Sequence, residues 1–333
     1  MAKQTLFITA LFLALLFVFL AEVLIGVYEV SLEDFWNYLT GGPVDSKVAT
    51  VLDVRVRRAL TALAVGAIMG AATMALQSSL RNVLASPFTL GIQHAAALGA
   101  AVAIMSLYAG TVTRWFVTVT NPFFVASLAF FAALGQTLLV LALSTLGGMT
   151  VYAVVLISVA MSFMVQAVLA LLQYLYFDEI MVAAVVFWTF GDVGRTGWTE
   201  VYILAAVAVA IVVFFTFYAL DLDLLAVGDD VARSSGVDPR TARLIFLSVS
   251  ALATAVAVSF VGVVGFVGLE AAVVARQIVG WSNRRSLPLA AAVGALTLAT
   301  ADLLGRTIIA PTVIPVGIMT TLTGAPAMIY LVI

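Results

Sequence analysis

Long runs without charge constrain this chain more than any single motif. Between positions 244 and 275 the only ionisable residue is Glu270, and comparable runs recur along the whole length. Lys, Arg, Asp and Glu make up 10% of the 333 residues and apolar residues 64%, whereas a soluble domain carries roughly a quarter of its residues as charges. A helix needs about 20 apolar residues to cross a hydrocarbon core of about 30 Å. Runs near that length lie at 6–27, 59–76, 92–108, 123–146, 151–177, 201–220, 244–279, 287–304 and 316–333. The 244–279 stretch is too long for one crossing. Gly262, Gly265 and Gly268 in its middle permit a turn without steric cost, which divides it into 244–264 and 266–279. The expected fold is therefore all-α: one polytopic membrane domain over 1–333, with ten transmembrane helices and both termini on one side. A closed β-barrel is excluded, because its strands alternate apolar and polar residues and these runs are apolar all round. The first run follows Lys3 as a signal peptide would. It is long and lacks a small-residue cleavage site, so it is expected to remain as a span.

Most residues that chemistry requires are missing. The absence of cysteine removes disulfides, thiolate metal sites and iron–sulfur ligation. His94 is the only histidine, and one imidazole cannot build a multi-histidine metal site, a haem clamp or a zinc-protease helix. No metal site is expected. The two lysines, Lys3 and Lys47, lie in no Gly-x-x-x-x-Gly-Lys-Ser/Thr loop, so P-loop hydrolysis of ATP is beyond this chain. No Gly-x-Ser-x-Gly elbow of a serine hydrolase occurs either. An ion-coupled transporter needs carboxylates or histidines as relays within the membrane. Only Glu22, Glu270, Asp302 and His94 could serve, and most lie near span ends. Glu270 falls in the opening turn of its span. A carboxylate gains roughly 0.3–1 kcal/mol at a helix amino terminus but loses about 2.5 kcal/mol or more in lipid. It is expected to face a wet cavity or a partner subunit.

Lys and Arg normally gather in cytoplasmic loops, yet here the tally is even. With termini inside, cytoplasmic segments hold eight basic residues: Lys3, Arg81, Arg233, Arg240, Arg243, Arg276, Arg284 and Arg285. External segments hold seven: Lys47, Arg55, Arg57, Arg58, Arg114, Arg195 and Arg306. An external arginine cluster fits lipid headgroups, or an acidic partner held by bidentate carboxylate pairs. Arg55 and Arg58, three apart, share a helix face, and Asp302 precedes Arg306 by four residues in the favourable order. The most polar cytoplasmic stretch, about 221–243, contains Gly228, Gly236 and an Asp238-Pro239 step that reads as a helix cap with Pro at the first helical position. This punctuation predicts two short helices separated by Gly236.

Several short motifs follow one another in a familiar order. Arg55-Val-Arg-Arg58 leads into a Gly-containing apolar helix, then come Leu76-Gln77, Arg81-Asn-Val-Leu-Ala-Ser-Pro87, Leu90-Gly91 and Ala96-Ala-Leu-Gly-Ala100. Val227-Gly228-Asp-Asp-Val-Ala232-Arg233, Gly236-Val237, Gly265-Phe-Val-Gly-Leu269 and Ala275-Arg276 come next. Ala301-Asp302, Arg306, Pro315-Val-Gly317 and Gly324-Ala-Pro326 close the series. From position 55 onward the chain resembles the permease subunits of the FecCD family, ten-span proteins of ATP-binding-cassette importers for ferric siderophores, haem and cobalamin. It departs at Arg57 and Val83, where the family usually has Pro, at Ala272-Val273, where Pro-His is usual, and at Gln93-His94-Ala95, where Ser-Ser-Gly is frequent. These departures bear on the substrate subclass and leave the fold intact.

The resemblance implies a type II importer permease fold in the cell's inner membrane, with cytoplasmic termini. It implies a homodimer, two separate ATPase subunits that bind ATP and Mg, an external substrate-binding protein, and neither a cofactor nor a nucleic-acid partner for this chain. Carried over by position, Arg55, Arg58 and Arg306 would dock the binding protein. Gly228, Asp230, Arg233 and Gly236 would lie in the coupling segment, and Gly265, Gly268 and Glu270 along the translocation pathway or its gate. A ferric siderophore is the first expected cargo, ahead of cobalamin, haem or a molybdate-type oxyanion. An ion-coupled secondary transporter is the alternative mechanism.

Overall fold

The computed structural model describes residues 2–108 and 122–332, and among them every regular element is helical. In chain order these are α1 (Ala2–Leu24), α2 (Leu32–Thr40), α3 (Ser46–Ser79), α4 (Ile92–Tyr108), α5 (Pro122–Leu146), α6 (Val151–Tyr176) and α7 (Glu179–Thr189). After a single 3-10 turn (Val193–Arg195) come α8 (Trp198–Phe217), α9 (Ala219–Val227), α10 (Asp229–Ser234), α11 (Pro239–Val261), α12 (Val267–Val279), α13 (Asn283–Thr307) and α14 (Val316–Val332). Each predicted span falls chiefly on one helix, with 201–220 running from α8 into the start of α9. By length and composition, α3, α5, α6, α8, α11 and α13 suffice to cross a membrane. Arg114 lies outside the described residues.

Three elements exceed or escape the hydropathy reading. The second span was expected from residue 59, but α3 starts at Ser46, where the Asp45 carboxylate accepts the Lys47 amide at 2.8 Å. At 1.5 Å per residue its 34 residues extend about 51 Å, well beyond a hydrocarbon core. Helices α2 and α7 are too short to register as spans. Each begins with a side-chain cap, Ser31 with Asp34 in a capping box and Asp178 on the Met181 amide. Finally, the two short helices of the polar stretch are α9 and α10, and Gly228 separates them. Gly236 instead divides α10 from the long α11. It has φ +88°, in the left-handed region, and its amide closes the last turn on the Arg233 carbonyl at 3.0 Å. The Asp238-Pro239 cap opens α11 as expected, with the Asp238 carboxylate accepting the Thr241 amide.

Helix α3 is the central post. In its most apolar 18-residue window 83% of residues are buried, against 22% for α6 and 28% for α8, which therefore form the periphery. Its main neighbour is α13. Gly66 faces Gly294 and Gly70 faces Ala290 so closely that a Cβ on either α3 glycine would strike the opposing carbonyl oxygen. Such approach of backbones is what small residues permit in lipid-embedded bundles, where dispersion contact replaces the hydrophobic drive.

Candidate functional site

Three groups of polar side chains stand out, at the two ends of α3 and beside its middle. At the end carrying Arg55 to Arg58, none of the three arginines assigned to docking projects as a free charge. Arg55 is buried and caps the end of α1, donating to the carbonyls of Val23 and Leu24 at 3.0 Å and Tyr28 at 2.7 Å. Arg58 grips Asp302 of α13 with two bonds of 2.7 Å and lies 3.4 Å from Asp192. Arg306 reaches Glu22 of α1 at 2.7 Å and Asp302 at 3.3 Å. Glu22 and Asp302 are fully buried. A carboxylate in such surroundings is tolerable only when cations and hydrogen bonds replace its water. The network therefore binds α1, α3, α13 and the 3-10 turn into one unit. Arg57 completes the rim, pairing with Asp53 at 2.9 Å and donating to the Thr196 carbonyl.

The second group surrounds a break in the helices. Helix α11 ends at Val261, and the chain runs without helix from Gly262 until α12 begins at Val267. The depth of this break follows from its neighbours. Asp192, which pairs with Arg58, donates its amide to the Val261 carbonyl at 2.7 Å, so α11 reaches the arginine end. Gly268 lies against Thr73 and Met69 of α3, about halfway from Arg58 to Ser79. The unwound segment thus descends from the end of the bundle to its middle. Non-helical backbone at that depth must be covered by protein or water, and Gln93 contributes by donating to the Val264 carbonyl at 3.2 Å. Gly265 abuts Phe88, Gly324 of α14 abuts Phe266, and Glu270 reaches the same place from the first turn of α12. His94 stands edge-on to Phe88, with ring centres 6.5 Å apart. Gly265, Gly268 and Glu270 thus all lie at this break. Sequence reasoning assigned no role to Gln93, Phe88, Phe266 or Thr73; the break in α11–α12 was the signal that its carbonyls would need donors.

The third group lies at the opposite end of α3. Buried Arg243 donates to the Ser79 carbonyl at 3.0 Å and holds both carboxylate oxygens of Asp229, one at 2.9 Å. Arg81 adds a third contact to Asp229 at 3.0 Å. These guanidiniums, Arg243 foremost, hold the Asp229 carboxyl below its ordinary range, so it stays ionised at any pH near neutrality. In the preceding helix, Asp223 of α9 accepts both the backbone amide and the side-chain amide of Asn283 at 2.7 Å, capping α13. Of the assigned coupling residues, Asp230, Arg233 and Gly236 are exposed and Gly228 is half-buried. They share one surface. Asp229, adjacent to the residue singled out from sequence, makes the internal contacts.

Among the described residues no cluster of three His, Cys, Asp or Glu could hold a metal ion. Comparison with known proteins places this arrangement. Residues 14–333 match the family model described as the FecCD transport family. An ABC transporter permease protein from Methanocaldococcus jannaschii is 37% identical, over 99% of this chain and 95% of that relative. The hemin transport system permease protein HmuU of Yersinia pestis is 30% identical, over 97% and 94% respectively. A solved structure described as a metal-chelate type ABC transporter in an inward-facing conformation superposes with a TM-score of 0.83 over 99% of both chains, at 24% identity. That last likeness concerns the fold.

Proposed function

This chain belongs to the FecCD transport family, and on that premise we propose that it is the membrane-spanning permease of an ATP-driven importer of metal chelates. A ferric siderophore is the first candidate cargo; haem, which a relative's name specifies, and cobalamin follow. In this reading two copies line a shared passage, two separate ATPase subunits bind ATP and Mg, and an external binding protein delivers the cargo. The end bearing Arg55, Arg58 and Arg306 faces outward, and the α9–α10 surface faces the cytoplasm.

The observation that carries the reading is the helix break beside Glu270. A transport chain needs a polar passage through an apolar bundle, and at the middle of this bundle lie an unwound backbone, a carboxylate and the side chains of Gln93, His94 and Thr73. Groups of this kind persist at membrane depth where they line a wet or partner-covered path. The mechanism asks no bond-making of the chain. Closure of the ATPase pair would move the exposed α9–α10 surface, and the permease halves would rock about the passage, opening it alternately to either side. Docking assigned to Arg55, Arg58 and Arg306 takes a specific form here: an acidic partner would compete with Glu22 and Asp302 for Arg58 and Arg306, and with the carbonyls ending α1 for Arg55.

Reconstitution tests the proposal. Liposomes containing permease and ATPase should accumulate cargo only with ATP and a loaded binding protein. Uptake by the permease alone, or uptake abolished by a protonophore while ATP is present, would remove it. Identifying the compound that co-purifies with the cognate binding protein would decide the cargo.

A further inference from the structure

We propose that Asp229 is the positioning residue through which movement of the α9–α10 segment is passed to the membrane helices. The proposal rests on the coupling role given to that segment above. Helix α10 is six residues long and buries only Ala232, so little apolar contact holds it to the bundle. Its first residue supplies the attachment instead. The Asp229 carboxylate receives Arg243 of α11 on both oxygens and Arg81, just past the end of α3, on one. Arg243 continues to the Ser79 carbonyl of α3 and, at 3.4 Å, to the Met149 carbonyl between α5 and α6. One carboxylate thereby joins the short helix to three parts of the bundle: α11, the end of α3 and the α5–α6 connection.

The chemistry makes this joint stiff. A planar guanidinium held by two parallel bonds resists both rotation and sliding, whereas a single neutral bond resists neither. Arg243 is also almost inaccessible to solvent, so separation of the pair would strand a buried cation. Asp223 makes a second attachment, on α9, but its partners are neutral amides of Asn283. Asp229 is the charged one and adjoins the exposed residues Asp230 and Arg233.

Two measurements test the joint, using Asp229→Asn, which keeps the shape but loses the charge, and Asp229→Glu, which keeps the charge. The chain has no cysteine, so spin labels on cysteines introduced at exposed Val83 and Val231 report the separation of α10 from the end of α3 in the permease alone. The unsubstituted joint and Asp229→Glu should give a narrow distance distribution, and Asp229→Asn one at least twice as broad. In the reconstituted importer, Asp229→Asn should keep its ATPase bound and hydrolysing while cargo moved per ATP falls about tenfold. Asp229→Glu should stay within about threefold of the parent. Equal distribution widths, or an unchanged cargo-to-ATP ratio in Asp229→Asn, would overturn the proposal. Broadening accompanied by ATP-independent uptake would uphold the joint and sink the importer reading. If Asp229→Asn does not assemble, Arg81→Gln, which removes only the exposed arm, should broaden the distribution about 1.5-fold and lower cargo moved per ATP about fivefold, and no change there would count equally against the joint.

Discussion

Arg58 and Asp302 are 244 positions apart in sequence and 2.7 Å apart in space, and the pair illustrates what a buried charge demands. Truncating Asp302 leaves Arg58, largely shielded from water, with only Asp192 at 3.4 Å. Losing one partner of such a pair typically costs about 3–5 kcal/mol. Asp302→Ala is therefore expected to lower stability by about 3 kcal/mol in detergent unfolding titrations. Adding Arg58→Met should cost less than the sum of the single changes, because the second change removes the stranded cation. Strict additivity would show that the two side chains do not act as a pair. Sequence spacing exposes only partners three or four residues apart on one helix. It found Asp302 with Arg306, at 3.3 Å, and could not find Glu22 with Arg306, which joins α1 to α13. That limit hid the partners that engage Arg55, Arg58 and Arg306 across helices.

At the scale of elements, hydropathy located every predicted span on a helix because lipid leaves few other ways to satisfy a backbone. It failed where charge and helix coexist. Residues 46–58 of α3 carry Lys47, Asp53, Arg55, Arg57 and Arg58, so the apolar window closed at 59 while hydrogen bonding continued to the Asp45 cap. Helices α2, α7, α9 and α10, of 6 to 11 residues, fall below any ruler of about 20. Small residues did signal close packing, but not which helices would meet. The contact of α3 with α13 makes that information testable. Gly66→Val would push a branched side chain against the Gly294 carbonyl, and overpacking of this sort costs typically 1–3 kcal/mol. The upper end is expected, since backbone cannot rotate aside as a side chain can, and a fall in thermal unfolding temperature would measure it. A variant as stable as the parent would mean that the two helices have room to separate.

For the molecule as a whole, the two ends of α3 differ in how their charge is disposed. Around Arg58, the cations Arg55, Arg57, Arg58 and Arg306 are balanced by the anions Glu22, Asp53, Asp192 and Asp302. An approaching acidic protein therefore meets guanidiniums that already have partners, and its attraction depends on short-range exchange of those partners. If this end docks a binding protein, the double variant Arg55→Glu/Arg58→Glu, selected for retained folding, should bind it at least tenfold more weakly at low ionic strength. The difference should shrink as salt is raised. Equal affinity at low salt would remove these two arginines from docking.

The unwound segment from Gly262 to Phe266 has one further consequence. Helix α11 runs unbroken from the Asp229 contact to the arginine end, whereas the hydrogen-bond ladder stops before α12, which starts only at the middle of the bundle. Helix α12 can therefore shift on the unwound segment while the end of α11 stays fixed beside the lattice of arginines and carboxylates. A chain so divided can open at one mouth without loosening the other.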